Sequence, residues 1–272
     1  MLKTRVITAI ILVAAFIPAL FMSSNIAWAY GMLVLALLGL YEWAGLIRLS
    51  ITQRAIYLVA AAIAGVIITQ LMQQQGFHQF FYYSLNIFLI ASLFWALVVP
   101  FWLAKKWLIN QYVMALLGLL LMLSVWLALI CAKSAGPWLL LALLATIWIA
   151  DSAAYFAGKN FGKHKLAPTI SPGKTWEGVA GALIAATIFG LILYIGFDVK
   201  SLAIFPALWL VVSFGVIGDL FESMLKRQAG LKDSGNLLPG HGGVLDRIDG
   251  IIPSLPIAIL VIYAYNLWWP LA

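Results

Sequence analysis

The stretch "MALLGLLLMLSVWLALICA", residues 114–132, runs for nineteen residues without a charged side chain. An α-helix rises about 1.5 Å per residue, so ~20 apolar residues cross the hydrocarbon core of a bilayer. The stretch does not alternate between apolar and polar positions, as the strands of a membrane barrel do. Residues 114–132 therefore predict a membrane-spanning α-helix.

The rest of the chain has the same character. Of its 272 residues, 65% are hydrophobic and 9% are charged, and the mean hydropathy is +1.06. Soluble domains are about 45–50% apolar and about 25% charged. This composition excludes a water-soluble fold and indicates an all-α, polytopic integral membrane protein. The single cysteine, Cys131, excludes a disulfide framework.

Apolar runs along the chain predict about nine transmembrane helices. They cover residues 6–22, 26–47, 55–72, 80–104, 111–131, 137–157, 178–197, 203–222 and 251–269. The apolar run of the first is longer than the core of a usual signal peptide, and no clear cleavage site follows it. We therefore expect a retained first helix. Pro100 predicts a kink or a stop near the end of the fourth span.

The basic residues predict the orientation of these spans. With nine spans, fourteen of the sixteen lysines and arginines lie on the side of the N-terminus, and only Lys133 and Lys200 lie on the other. Cytoplasmic loops carry the excess of basic residues, so the N-terminus is expected in the cytoplasm and the C-terminus in the periplasm. The excess of basic residues, which gives the chain its net charge of +7, would then face the anionic lipids of the inner leaflet. No separate basic domain indicates a nucleic-acid partner.

The charged residues are concentrated in two segments. Residues 151–177 and 219–249 make up about a fifth of the chain and hold 15 of its 25 charges. Charged groups near a membrane are costly and tend to mark functional sites. Lysines orient loops, but acids do little for topology and need another explanation. We expect one membrane domain over 1–272, with N-terminal spans in 1–135 and the spans and loops that carry the functional site in 136–272.

Four acids flank the last two predicted spans. Asp219 and Glu222 are three residues apart at the end of the eighth span, and Asp246 and Asp249 have the same spacing before the ninth. Residues three apart share a helix face. Such pairs bind a divalent cation, act as acid and base, or neutralise lysines. Several lysines and arginines lie nearby, which favours a site for a cation and phosphate groups.

Two loops complete the candidate site. In "PGHGG", residues 239–243, the glycines allow backbone amides to approach a ligand, and His241 is a candidate phosphate donor, acid–base group or loop cap. "SPGKTWEG", residues 171–178, is not a Walker A motif because Pro168 stands where that motif needs glycine. Ser171 and Lys174 are still expected in a turn before a helix N-terminus, where anions bind.

Two further acids lie near the ends of spans. Asp151, in "TIWIADSAAYFAG", is expected to be a ligand or a hydrogen-bond acceptor for substrate. Glu42 is an isolated acid in "LGLYEWAGLI" and is assigned no role.

The segment "SMLKRQAGLKDSGNLLPGHGGVLDRID", residues 223–249, resembles the signature of the phosphatidate cytidylyltransferases, also called CDP-diacylglycerol synthases. The shared elements are S-x-x-K-R, K-D-x-G and P-G-H-G-G-x-x-D-R-x-D. "GKNFGKHKLAPTISPGKTWEG", residues 158–178, is also similar to the bacterial members. The first half of the chain resembles these proteins only in being a series of apolar spans. Ala153 departs from the glycine found near that position in many members.

This resemblance implies an enzyme of the bacterial inner membrane, with its active site facing the cytoplasm. It would join CTP and phosphatidate into CDP-diacylglycerol and diphosphate during phospholipid biosynthesis. The resemblance also implies a requirement for Mg²⁺ and a possible homodimer. We expect the lipid phosphate to attack the α-phosphorus of CTP in line, assisted by the metal.

Each candidate residue is assigned a role on this hypothesis. The catalytic set is Asp219, Asp246, Lys226, Arg227 and His241. The substrate-binding set is Ser171, Lys174, Lys232, Asp233, Arg247 and Asp151. The metal ligands are Asp219, Asp246 and Asp249, with Glu222 as a weaker candidate. Asp233 either orients a lysine or binds a second cation.

Two alternatives remain open. An ion-coupled transporter would carry acids in the middle of its spans, whereas most acids here lie at span ends. Another membrane lipid phosphotransferase is the second alternative. The D-G-x-x-A-R pattern of the CDP-alcohol phosphotransferases is absent from the chain. A lipid-alcohol kinase is not excluded by any pattern.

Overall fold

The computed structural model describes residues 2–197, 199 and 201–268, with side chains for residues 7–265 other than 78, 198 and 200. The longer helices are α1 (Leu2–Met22), α2 (Asn25–Leu46), α3 (Ile51–Gln75), α4 (Phe77–Leu93), α6 (Gln111–Ala135), α7 (Pro137–Phe161), α8 (Trp176–Gly196), α9 (Ile204–Ala229) and α11 (Ile251–Trp268). The shorter elements are α5 (Val99–Lys105), α10 (Leu245–Ile248), and strands β1 (Lys165–Ala167) and β2 (Ser171–Thr175).

Eight helical segments in the described part of the chain are long and apolar enough to cross a membrane. They correspond to the second to ninth predicted spans, and α1 corresponds to the first. The all-α polytopic fold is therefore confirmed. The sidedness of the membrane stays a prediction, and residues 1, 198, 200 and 269–272 lie outside the described residues.

The loops predicted to be cytoplasmic meet on one side of the helices. Lys106, after α5, donates a hydrogen bond to Thr169 Oγ1 at 2.8 Å in the loop between β1 and β2. Arg48, after α2, donates to the carbonyl oxygen of Ala229 at 3.1 Å, at the end of α9. The two segments rich in charge therefore share this side, which we call the loop side.

Pro100 does not stop its helix. α4 runs into a π-helical turn over Phe94–Val98, and α5 continues to Lys105 with the proline in its first turn. A π turn admits an extra residue where a proline cannot donate to the usual carbonyl. Trp95 and Trp102 on either side of the proline pack edge-on against Phe221 of α9, with ring centroids 5.3 and 5.2 Å away. This contact buttresses the part of α9 that carries Asp219 and Glu222.

The stretch 114–132 forms most of α6, the most buried of the eight spanning segments. α6 packs against α2 and α11. The Trp43 indole of α2 lies so close to Gly118 that a side chain there would collide with it, and its N–H donates to the Met114 carbonyl oxygen at 2.8 Å. A small residue thus allows α2 and α6 to approach closely, as is common between membrane helices.

α7 and α8 are also joined by small residues. A Cβ on Gly178 would lie 2.9 Å from the Ala154 carbonyl oxygen, and one on Gly181 would lie 3.3 Å from that of Ala153. The two glycines of α8 therefore allow it to approach the backbone of α7 closely. The antiparallel hairpin of β1 and β2 connects the two helices. Thr175 ends the hairpin and caps α8 by accepting the Gly178 N–H at 3.1 Å.

Candidate functional site

Three carboxylates converge on the loop side of the bundle. Asp219 and Glu222 lie on α9, and Asp249 lies between α10 and α11. Each contributes one carboxylate oxygen to a group in which all the oxygens lie within 4.8 Å of one another. Such a group could hold a metal ion, and hard divalent cations prefer oxygen ligands. We call these three residues the carboxylate cluster.

The cluster forms because α9 and α11 approach with almost no space between them. A Cβ on Gly218 would lie 2.6 Å from the ring carbon Cγ of Pro253, and it would also collide with the Asp249 carbonyl oxygen. Only glycine permits this backbone contact. Because Asp219 follows Gly218 in the chain, this contact places Asp249 close to Asp219.

Lys226 links the cluster to the last loop. Its Nζ donates to Glu222 Oε2 and to Asp246 Oδ1, both at 2.6 Å, and the residue is buried. A buried ammonium that bridges two carboxylates forms strong, charge-assisted hydrogen bonds. The side chain of Lys226 is therefore held between α9 and α10.

Asp246 lies beside the carboxylate cluster. While Oδ1 accepts from Lys226, Oδ2 accepts from the backbone N–H of Gly243 at 2.7 Å and from the backbone N–H and hydroxyl of Ser234, both at 3.0 Å. One of its oxygens thus holds the loop and the other holds Lys226 of α9. The metal-ligand group in the described residues contains the other three predicted ligands and does not include Asp246.

The hairpin segment reaches the same place. Lys174 Nζ forms an ion pair with Asp219 Oδ2. It does so from strand β2, whereas the sequence predicted a turn for Ser171 and Lys174. Asp151 of α7 is exposed and interacts electrostatically with Asp219, Lys174 and Arg247. The two charged segments therefore form one site.

The other predicted residues lie around this centre. Arg227 is exposed and donates to the Leu231 carbonyl oxygen at 3.1 Å. The side chains of Lys232, Asp233 and Arg247 are exposed and, within the part of the chain that the structure describes, form no hydrogen bond or ion pair. Ser171 is half-buried. These residues are free to contact a ligand.

His241 lies at the turn of the last loop. Its backbone N–H donates to the Leu238 carbonyl oxygen at 2.9 Å, between glycines 240 and 242, which have φ of +77° and +84°. The ring atom Nδ1 is buried and has no protein partner among the described residues. The backbone of this turn thus requires glycine on both sides of the histidine.

The environment of the carboxylate cluster fits a bound cation. Glu222 is buried, and its Oε1 finds no hydrogen-bond donor among the described residues, while Oε2 is held by Lys226. A buried carboxylate oxygen without a donor is costly unless something else satisfies it. A divalent cation would satisfy it.

Sequence reasoning missed Glu42. This buried carboxylate of α2 accepts the backbone N–H groups of Val244 at 3.0 Å and Leu245 at 2.8 Å, and the Ser234 hydroxyl at 3.0 Å. It binds no basic residue among those described. The available signal was that Glu42 is the only charged residue in the second predicted span.

Comparison with known proteins identifies the family. Residues 3–265 match the family model described as "Cytidylyltransferase family". The chain belongs to the cytidylyltransferase family. A Pseudomonas aeruginosa protein named phosphatidate cytidylyltransferase is 37% identical over 280 residues, which cover 97% of this chain and 98% of that relative. A Haemophilus influenzae protein of the same name is 36% identical over 291 residues, covering 94% of this chain and 96% of the relative.

A shorter stretch is more similar. A Bacillus subtilis protein, also named phosphatidate cytidylyltransferase, is 48% identical over 124 residues, or 44% of this chain and 45% of the relative. The cytidylyltransferase described here is therefore a nucleotidyltransferase by family. Its carboxylate cluster, Lys226 and Lys174 lie together at one end of the membrane helices.

Proposed function

We propose that this cytidylyltransferase is a phosphatidate cytidylyltransferase, which converts CTP and phosphatidate into CDP-diacylglycerol and diphosphate. The observation that carries the proposal is its similarity over nearly the whole chain to two proteins of that name. The structure adds support, since acids and lysines of α9, strand β2 and α10 meet on the loop side, where a water-borne nucleotide could reach a membrane lipid.

The reaction is a substitution at phosphorus. An oxygen of the lipid phosphate attacks the α-phosphorus of CTP, a new P–O bond forms, and the bond to the diphosphate leaving group breaks. A phosphate nucleophile is already ionised near neutral pH, so it needs no strong general base. Alignment and neutralisation of charge therefore supply most of the catalysis.

Mg²⁺ is the proposed cofactor, and the proposal allows for a second cation. Asp219, Glu222 and Asp249 would hold the metal, because their oxygens converge and one of them lacks a donor. Bound there, Mg²⁺ would neutralise phosphate charge and orient the reacting groups. Lys226 and Asp246 keep the supporting side chains in place.

The basic side chains around the cluster would hold the phosphates. Lys174 and Arg247 lie near Asp151 and Asp219, and they are the nearest candidates for the nucleotide phosphates or the lipid headgroup. Arg227 and Lys232 are exposed nearby, and Ser171 and His241 would provide further hydrogen-bond donors. Asp233 would orient one of the lysines.

The location of the protein is proposed with the reaction. The bacterial relatives and the asymmetry of the basic residues support a multi-pass protein of the inner membrane, with the loop side in the cytoplasm. CTP would enter from the cytoplasm and phosphatidate from the surrounding lipid. A homodimer remains part of the proposal.

The function is tested by supplying each substrate with labelled CTP. Purified protein in detergent with Mg²⁺ should transfer label from the α-phosphate of CTP to phosphatidate and release diphosphate. It should not phosphorylate diacylglycerol from the γ-phosphate. Transfer of γ-label to a lipid alcohol would support a kinase instead, and ion flux in liposomes without CTP turnover would support a transporter.

A further inference from the structure

The carboxylate of Glu42 is unusual because it is buried within a spanning helix and bound by backbone donors. Glu42 is only 3% exposed. The Val244 and Leu245 amides that it accepts stand at the N-terminus of α10, which leads through Asp249 into α11. The first N–H groups of a helix have no partner inside the helix. A side chain from α2 therefore caps α10, the short helix that leads into the last span.

Ser234 connects this cap to the candidate site. Its hydroxyl lies 3.0 Å from Glu42 Oε2 and 3.0 Å from Asp246 Oδ2. One hydroxyl hydrogen is thus shared between two carboxylates. Asp246 continues the network to Lys226, and Lys226 continues it to Glu222 of the carboxylate cluster. Polar contacts run without a break from α2 to α9.

Two glycines of the last loop are explained by the same carboxylate. A Cβ on Gly235 would lie 2.8 Å from Glu42 Cδ, and one on Gly243 would lie 2.6 Å from Glu42 Oε1. Neither residue has a positive φ, unlike glycines 240 and 242. Close approach to Glu42 therefore requires these two glycines, and backbone conformation does not.

We propose that Glu42 is a positioning residue of the candidate site. It holds the loop 232–244 and the start of α10 so that Asp246, Lys226 and Asp249 keep their places. Among the described residues its hydrogen bonds go to Ser234 and the backbone of α10 and not to the carboxylate cluster, so it would act through these two partners. The activity readout of this proposal rests on the proposed function, whereas its structural readout does not.

The structural readout is amide exchange of the loop. In Glu42→Gln the amide oxygen can accept one of the two backbone N–H groups, while the NH₂ group faces the other donor. Hydrogen–deuterium exchange of the peptide covering 232–250 should become at least about 10-fold faster, because hydrogen bonds to a charged group are worth about 1.5–3 kcal/mol. Glu177→Gln, which removes a carboxylate bound to His164 of the hairpin, should leave exchange of this peptide unchanged.

The activity readout is a double-mutant cycle. Gly235→Ala and Glu42→Ala should each lower kcat for cytidylyl transfer by about 10- to 100-fold, because small displacements of catalytic groups are costly. The kcat of the double variant should lie less than about 3-fold below that of Glu42→Ala, because the added methyl group then occupies the space of the lost carboxylate. Each variant is first checked for a single symmetric peak in size-exclusion chromatography.

The outcomes separate the two proposals. The role of Glu42 would be overturned if the losses in kcat of Gly235→Ala and Glu42→Ala multiplied in the double variant. It would also be overturned if amide exchange of the peptide 232–250 were unchanged in Glu42→Gln. A wild-type protein that makes no CDP-diacylglycerol would overturn the proposed function, and the exchange experiment would still decide the role of Glu42.

Discussion

Asp219→Asn is expected to lower the rate of CDP-diacylglycerol formation by at least about 100-fold, as expected when one preorganised charged group is lost at a phosphoryl-transfer site. Asp219 belongs to the carboxylate cluster and also pairs with Lys174 of the hairpin. The amide removes the charge from both contacts while keeping the shape of the side chain. The rate is measured with labelled CTP at saturating substrates and Mg²⁺.

A control from the same helix separates chemistry from folding. Ser213 of α9 is exposed, and its hydroxyl donates to the Trp209 carbonyl oxygen at 2.7 Å. Ser213→Ala should keep the wild-type rate within about 2-fold, as is usual for surface substitutions. If Asp219→Asn, folded normally, retained more than about a third of the wild-type rate, Asp219 would not be a metal ligand.

Gly218→Ala is expected to impair the protein more than any other single methyl group added to α9. The new Cβ would collide with the Asp249 carbonyl oxygen and lie 2.6 Å from Pro253 Cγ, and neither atom can rotate away. α9 and α11 would have to separate, which moves Asp249 away from Asp219. Overpacking of this kind costs about 1–3 kcal/mol, and misplacing a catalytic group by about 1 Å can cost about 100-fold in rate.

Gly215, one turn earlier on α9, provides the matched control. A Cβ there would lie 3.4 Å from Ser254 Oγ and 3.7 Å from the Gly250 carbonyl oxygen, which are ordinary contacts. Gly215→Ala should therefore keep both the unfolding temperature in detergent and the transfer rate close to wild type, while Gly218→Ala lowers both. Equal effects of the two alanines would show that the close approach at Gly218 does not position Asp249.

Much of the candidate site could be predicted because its residues lie in two short segments. Asp219, Glu222, Asp249, Lys226 and Lys174 were all singled out from the sequence, and the structure brings them together. Which of the acids would join the carboxylate cluster and which would bind the loop could not be predicted. Asp246 and Asp249 have the same spacing as Asp219 and Glu222, yet Asp246 binds the loop and Lys226 instead of joining the cluster.

Glu42 shows most clearly which contacts could not be predicted from the sequence. Nothing in the residues around it indicates that it binds Val244 and Leu245, some two hundred positions later in the chain. Such contacts depend on how α2 packs against α10, and spacing along the chain carries no record of that packing. The sequence suggested that Gly243 lets a backbone amide approach a ligand, whereas in the structure the distant Glu42 and the Ser234 hydroxyl occupy the space where its Cβ would lie.

The sequence by itself determined the spans and the two segments in which the charged residues gather. Both follow from local rules, since a helix in lipid needs about 20 apolar residues and charged groups avoid the hydrocarbon core. Only the tertiary structure decided which carboxylates converge in the carboxylate cluster and which hold the loop. That choice depends on contacts of a few ångströms between helices, which form where Gly218 and Gly243 leave room for a backbone or a carboxylate.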